Sequence, residues 1–169
     1  DNVSSRVVDD LRMTIKNGTK VSIVAASFSI YAYRALRKEL GQTKELNFLF
    51  TGDTFTKEKA PHEAREFYIP RLNAERSLYG TDFEVKLRNE LSQQAISKEC
   101  ADWIRSKATF KSNISGEHMN PFMTINNGEE EIAYTPFNNF TTADLGEDRG
   151  NNAYSTTTKL SAPMSRQFF

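Results

Sequence analysis

The 169 residues carry 22 Lys+Arg and 22 Asp+Glu, giving zero formal charge with 38% apolar residues, which is enough chain for one domain with a real core. That balance excludes an overall polycation, although a neutral total can hide a local basic patch. A single cysteine, Cys100, excludes an intramolecular disulfide and any cysteine-based zinc cluster, and the longest apolar stretch, residues 21–33, is broken by Ser22, Ser27 and Ser29 and is too short to span a bilayer. No secretory signal pattern precedes that stretch, so the expected location is cytoplasmic. The chain starts at Asp1 rather than Met, which reads as a fragment of a longer protein.

In chain order, Ser4 or Ser5 is expected to cap a first helix in which Val8, Leu11 and Ile15 recur at helical spacing. Asp9 and Asp10 occupy its early turns, and Asn17-Gly18 ends it with residues that tolerate the left-handed region. Residues 21–26 form a β-branched run typical of a buried strand. Residues 29–40 place Ile30, Tyr33, Leu36 and Leu40 on one helical face, with Gly41 as the stop, and residues 46–50 read as a second strand. Strand, helix and strand with a short return make a parallel crossover unit.

Residues 54–106 are charged and read as helix interrupted at Pro61, Pro70 and Gly80. Phe83, Leu87, Leu91, Ala95, Ala101, Trp103 and Ile104 supply positions for packing on a sheet, and Cys100 reads as a buried structural thiol. Glu84/Arg88 and Glu99/Lys107 read as solvated charge. A strand returns over 108–112, and strands at 121–125 and 131–134 flank an Asn-Gly turn signal at Asn127-Gly128. After Phe140 the composition turns polar, with a Ser/Thr run at Ser155–Thr158, and that tail reads as a loop or linker.

Only two histidines are present. His62 sits among charges near a helix start and reads as a solvated residue. His118 lies in Gly116-Glu117-His118-Met119-Asn120-Pro121, just before the hairpin, and the second hairpin strand runs into Thr135-Pro136-Phe137-Asn138-Asn139-Phe140-Thr141 and then Leu145-Gly146. Taken alone, His118 reads as a partly solvated loop residue and Asn139 as a turn residue bonding its own backbone.

Their order resembles the phospholipase D superfamily, in particular the compact domains joined to bacterial helicases of the Swi/Snf and DEAD/DEAH kinds. There a strand carries His-x-Lys, and Gly-Ser-x-Asn follows the hairpin. The opening helix, the strand at 21–26 and Ser27-Phe28-Ser29 resemble the first crossover of that superfamily. The resemblance covers roughly residues 5–150. It implies an α/β fold: a phospholipase-D-like mixed sheet flanked by helices, with a central charged helical insertion and a C-terminal hairpin. Residues 1–150 would form that domain, and 151–169 a polar tail or linker toward a helicase region outside this sequence.

In such enzymes the imidazole attacks phosphorus, Lys and Asn hold the phosphate oxygens, and a second motif protonates the leaving group. By this resemblance His118 and Asn139 stand at the catalytic positions. Asn120 stands where the lysine belongs, which removes the cation that offsets charge on the phosphoryl oxygens. Pro136, near the replaced Gly-Ser pair, has no N–H to offer an anion.

Three functions follow. The first is a non-catalytic accessory domain of an ATP-dependent DNA helicase that contributes DNA or partner binding. Lys57, Lys59, Arg65, Arg71 and Arg76, with Tyr68 and Tyr79 between them, are the candidate phosphate contacts, though the interleaved Glu58, Glu63, Glu66 and Glu75 also suit a mixed-charge solvated surface. The second is a homodimeric, metal-independent phosphodiesterase or nuclease using His118. The third is a protein-interaction or assembly domain. No phosphate-binding Gly-rich motif or metal-ligand cluster is apparent, so no cofactor is expected in this domain, and ATP and Mg are implied only for a helicase region elsewhere.

Overall fold

A computed structural model describes residues 1, 4–52, 82–147 and 154–169, over 82–93 by the backbone alone. Lys57, Lys59, His62, Arg65, Tyr68, Arg71, Arg76 and Tyr79 lie outside the described residues, as do the side chains of Phe83, Glu84, Leu87, Arg88 and Leu91.

The elements are helix α1 (Val7–Thr14), strand β1 (Lys20–Ala25), helices α2 (Ile30–Ala35) and α3 (Arg37–Gln42), strand β2 (Glu45–Phe50), helix α4 (Asp82–Lys107), strands β3 (Ala108–Ser112), β4 (Phe122–Asn126) and β5 (Glu131–Thr135), helix α5 (Thr142–Leu145), strand β6 (Thr158–Leu160) and a 3-10 helix (Met164–Phe168). Among the described residues they build one six-stranded mixed sheet in the order β3-β2-β1-β4-β5-β6. The expected crossover is present: β1 and β2 pair in parallel with Val21 beside Leu46 and Ile23 beside Phe48, and β3 continues the parallel half. β4 pairs antiparallel with β1, then β5 with β4 and β6 with β5.

The period-two alternation of the strands decides which face is dry. Val21, Ile23, Ala25, Leu46, Phe48, Phe50, Met123, Ile125, Ile132 and Tyr134 share one buried cluster with residues of all five helices. The Phe28 ring stands edge-on to Phe48 (5.6 Å) and Phe110 (5.1 Å) and stacks on Phe140 (5.2 Å). Fully burying a phenylalanine contributes on the order of 1.5–3 kcal/mol, so these rings are a main source of the cohesion of the parallel half.

Several local expectations are corrected. α1 takes its cap position at Arg6, whose side chain makes no cap bond; Ser4 and Ser5 instead donate their backbone N–H groups to the Asp1 carboxylate. The single helix expected over 29–40 is two, because Leu36 leaves helical geometry at φ −118° and ψ 16°. Gly41 therefore lies inside α3, not after it. The orphan carbonyls at the end of α3 are satisfied from the neighbouring helix. Trp103 Nε1 donates to Leu40 O at 3.1 Å, and Lys107 Nζ donates to Gly41 O at 2.8 Å and Thr43 O at 2.7 Å. Lys107 is thus a cap rather than solvated charge, while Glu99 faces Arg37 at 3.8 Å across an exposed pair.

On α4, Ala95 is exposed, and Ile96, Cys100 and Trp103 take the inward positions. The hairpin is present as expected, with Gly128 at φ 87°, a value that favours glycine over residues with a Cβ. Asn127 Oδ1 accepts from the backbone N–H groups of Glu129 and Glu130, which closes the turn. The polar tail differs most from the loop its composition suggests. Thr158–Leu160 extends the sheet against β5, because an edge strand needs backbone partners more than apolar side chains.

Candidate functional site

Parallel β1, β2 and β3 all end at one edge of the sheet, and the antiparallel register places the start of β4 and the end of β5 at that same edge: Val24 sits beside Phe122, and Met123 beside Tyr134. In open α/β sheets this carboxyl edge is where ligands are usually held. The loops leaving β1, entering β4 and leaving β5 meet there, and these are the segments on which the expected resemblance rests.

Backbone bonds lace them together. Ala26 N–H donates to Asn138 O at 2.8 Å, Phe140 N–H to Ser27 O at 2.9 Å, and Ser29 N–H to Phe140 O at 2.9 Å. Phe28 and Phe140 form a parallel bridge, with their rings stacked beneath. Phe137 N–H donates to Pro121 O at 3.1 Å, which joins the hairpin's exit to its entrance. The side chain of Asn139 completes the seam: its Oδ1 accepts from Ser27 Oγ at 2.9 Å, across 112 residues of sequence. Asn139 therefore bonds a distant side chain, not its own backbone.

His118 and Asn120 are exposed and lie in the loop before β4, not on the strand itself. Neither makes a hydrogen bond or ion pair among the described residues. That loop is braced immediately upstream. Asn113 Nδ2 donates to Glu117 O at 2.7 Å and to Thr51 O at 3.4 Å, while its Oδ1 accepts from Ser115 N–H at 3.0 Å and Ser115 Oγ at 2.7 Å. Gly116 holds φ 75° in this turn. Thus the edge gathers the segments bearing His118, Asn120 and Asn139, but no hydrogen bond links the three side chains. The five basic residues offered as phosphate contacts lie outside the described residues.

Ser27, Thr51 and Asn113 are edge residues whose part the sequence reading did not assign. Asn113-Ile114-Ser115-Gly116 carries a recognisable signal, since Asn followed by Ser and Gly favours a side-chain-closed turn. The pairing of Ser27 with Asn139 has no local signal at all. Chemically, the edge offers hydroxyl and carboxamide groups, the exposed imidazole of His118 and the exposed carboxylate of Glu117 beside it. Among the described residues, no group of three or more His, Cys, Asp and Glu side chains is placed to hold a metal ion, and no helix is long and apolar enough to cross a membrane.

A second polar cluster centres on Tyr134, one residue before the end of β5. The buried Tyr134 hydroxyl donates to Asp10 Oδ2 at 2.6 Å, and Lys159 Nζ donates to Asp10 Oδ1 at 2.9 Å, so α1, β5 and β6 are tied through one carboxylate. Burial, reinforced by the hydrogen bond to Asp10, pushes the Tyr134 hydroxyl far above its ordinary range. This is the chemistry of a structural tie, because a phenol held so firmly protonated is a poor acid or base near neutrality.

Comparison with known proteins finds no family model that matches the chain and no curated protein that matches it.

Proposed function

We propose that this domain is a phospholipase-D-like scaffold without phosphodiesterase activity that helps a DNA helicase hold its nucleic acid. The observation that carries the reading is the bond from Ser27 Oγ to Asn139 Oδ1. The asparagine at the phosphate-holding position of the resembled motif is used to join two loops, and Asn120 occupies the place of the motif lysine. The bond fixes Asn139 through its Oδ1, and without the motif lysine the edge lacks the cation that the chemistry of such a motif needs. ATP and Mg belong, on this reading, to a motor region outside these residues.

DNA contact rests on the basic residues of the charged segment, and its electrostatic signature is testable. Duplex DNA binding by fluorescence anisotropy should weaken steeply between 50 and 200 mM salt. Neutralising three phosphates gives a loss of about forty-fold, since affinity falls with roughly the 0.9Z power of salt concentration. Replacing Lys57, Lys59, Arg65, Arg71 and Arg76 by glutamine should flatten that dependence. Absence of binding at 50 mM salt would overturn the DNA-holding role.

One observation favours a second reading. His118 is exposed at the sheet edge, where a second copy of the chain can reach it, as a dimeric phosphodiesterase requires. It predicts metal-independent cleavage that depends on His118.

A further inference from the structure

The five helices all contribute to the core on one face of the sheet, which leaves the other face to a different cover. That second face carries Ser22, Val24, Asn47, Leu49, Thr109, Lys111, Phe122 and Thr124. Val24 is 7% exposed and Thr124 4%, so part of the face is dry with no α-helix over it among the described residues. What lies there is the end of the described chain. The Phe168 ring packs on Phe122 at 5.2 Å, and the buried Ser165 Oγ donates to Glu131 O at 2.6 Å. Between this segment and the central strands runs a groove of about 330 Å³, walled by Val24, Leu49, Phe122, Phe168 and Phe169.

The attachment is thin. β6 contributes three residues of pairing to β5, Lys159 reaches Asp10 through a partly exposed ion pair, and Thr157 Oγ1 donates to Pro136 O at 3.0 Å. Most of the segment faces solvent, including Met164 at 62% and Phe169 at 54% exposure. No residue of 158–169 belongs to the buried core cluster, so detaching the segment removes nothing from it. Elements with few buried apolar contacts and an edge strand's exposed hydrogen bonds open at lower free energy than the core.

We propose that residues 158–169 are a strap that opens as one unit and uncovers the apolar part of the sheet face opposite the described α-helices. Opening breaks the β5–β6 ladder, the Ser165–Glu131 bond and the Phe122–Phe168 contact together, because only a three-residue turn separates the 3-10 helix from β6. The β1–β2–β4 centre stays folded, and Val24, Leu49 and Phe122 become accessible. The strap is thus a built-in cover for the sheet face opposite the described α-helices. This inference does not depend on the function proposed above.

Hydrogen exchange of the full chain, read by mass spectrometry at zero and low urea, tests it. Amides of the strap should exchange together, much faster than those of β1 and β4 and with little response to low urea. Ser165→Ala should speed strap exchange by about five- to tenfold, the effect of one lost hydrogen bond, while β1 and β4 keep their protection. It should also raise the fluorescence of an apolar dye without changing the far-ultraviolet circular dichroism. Lys159→Gln supplies an independent variant, because it loosens the strap at its other end, and should have the same pattern at smaller amplitude. Strap amides exchanging at the rate of β1 and β4, or variants that accelerate all strands equally, would overturn the proposal.

Discussion

Truncating Phe48 to alanine is expected to lower the free energy of unfolding by about 3–5 kcal/mol, the largest loss of any single substitution considered. Phe48 is 1% exposed at the middle of β2. Its ring stacks on Phe110 at 5.2 Å, meets Phe28 edge-on at 5.6 Å and leans on Phe50 at 4.7 Å. Removing it takes away the transfer free energy of a large apolar group and leaves a cavity bordered by three rigid rings, which cannot collapse far to fill it. Domains of this size hold roughly 5–15 kcal/mol in total, so a substantial share of the stability is at stake. Urea unfolding should show a lower midpoint with an unchanged slope. Phe48→Leu should lose much less, because the smaller change in volume leaves less void. A loss below about 1 kcal/mol for the alanine variant would show that the ring is not in a close-packed site.

Alkaline pH should destabilise the fold through groups that the native state keeps protonated. Burial, with a smaller contribution from Glu99, pushes the Cys100 thiol up to about 12. Burial and then Glu99 push the Tyr33 hydroxyl to about 12, and Tyr134 is raised further. In the unfolded chain a thiol titrates near 8.5 and a tyrosine near 10. Between those values and the native ones, the unfolded state gives up protons that the native state retains. Stability is therefore fully present below the unfolded values and falls as pH rises, by at most roughly 1.4 kcal/mol per pH unit for each group. The decline should begin near pH 9 from Cys100 and steepen above pH 10 as the tyrosines join. Cys100→Ala should remove the first part and delay the onset by about one pH unit. Stability that stays flat from pH 8 to 11, or an identical slope in the variant, would contradict these assignments.

The parts of the fold legible in the sequence were those governed by local pattern. The alternating and β-branched runs of β1 and β2, the turn signal at Asn127-Gly128 and the helical spacing of Val8 and Leu11 each arise within a few residues. The break at Leu36 was hidden because the periodic apolar positions continue through it. The cap supplied to α3 by Trp103 and Lys107 comes from residues more than sixty positions away. β6 was hidden for a different reason. Its place at the sheet edge is set by pairing with β5 and by Lys159 reaching Asp10, neither of which leaves a hydrophobic pattern.

The same distinction holds at the candidate site. The topology brings the loop segments bearing His118, Asn120 and Asn139 to one edge of the sheet. The seam between Ser27 and Asn139 was not visible, because the two residues meet only when β1 and β5 end side by side around β4. Contacts of this kind depend on strand order, and one sequence gives no direct signal of it. The basic residues of the charged segment lie outside the described residues, so their part rests on sequence alone.

The measurement that tests the central claim most directly is phosphodiester cleavage in EDTA by the whole chain, with a small chromogenic diester and duplex and single-stranded DNA, beside the His118→Ala variant. No turnover above background is expected in either protein on any substrate. Turnover by the parent chain that disappears in His118→Ala would contradict it and make the domain a metal-independent phosphodiesterase that works without the motif lysine.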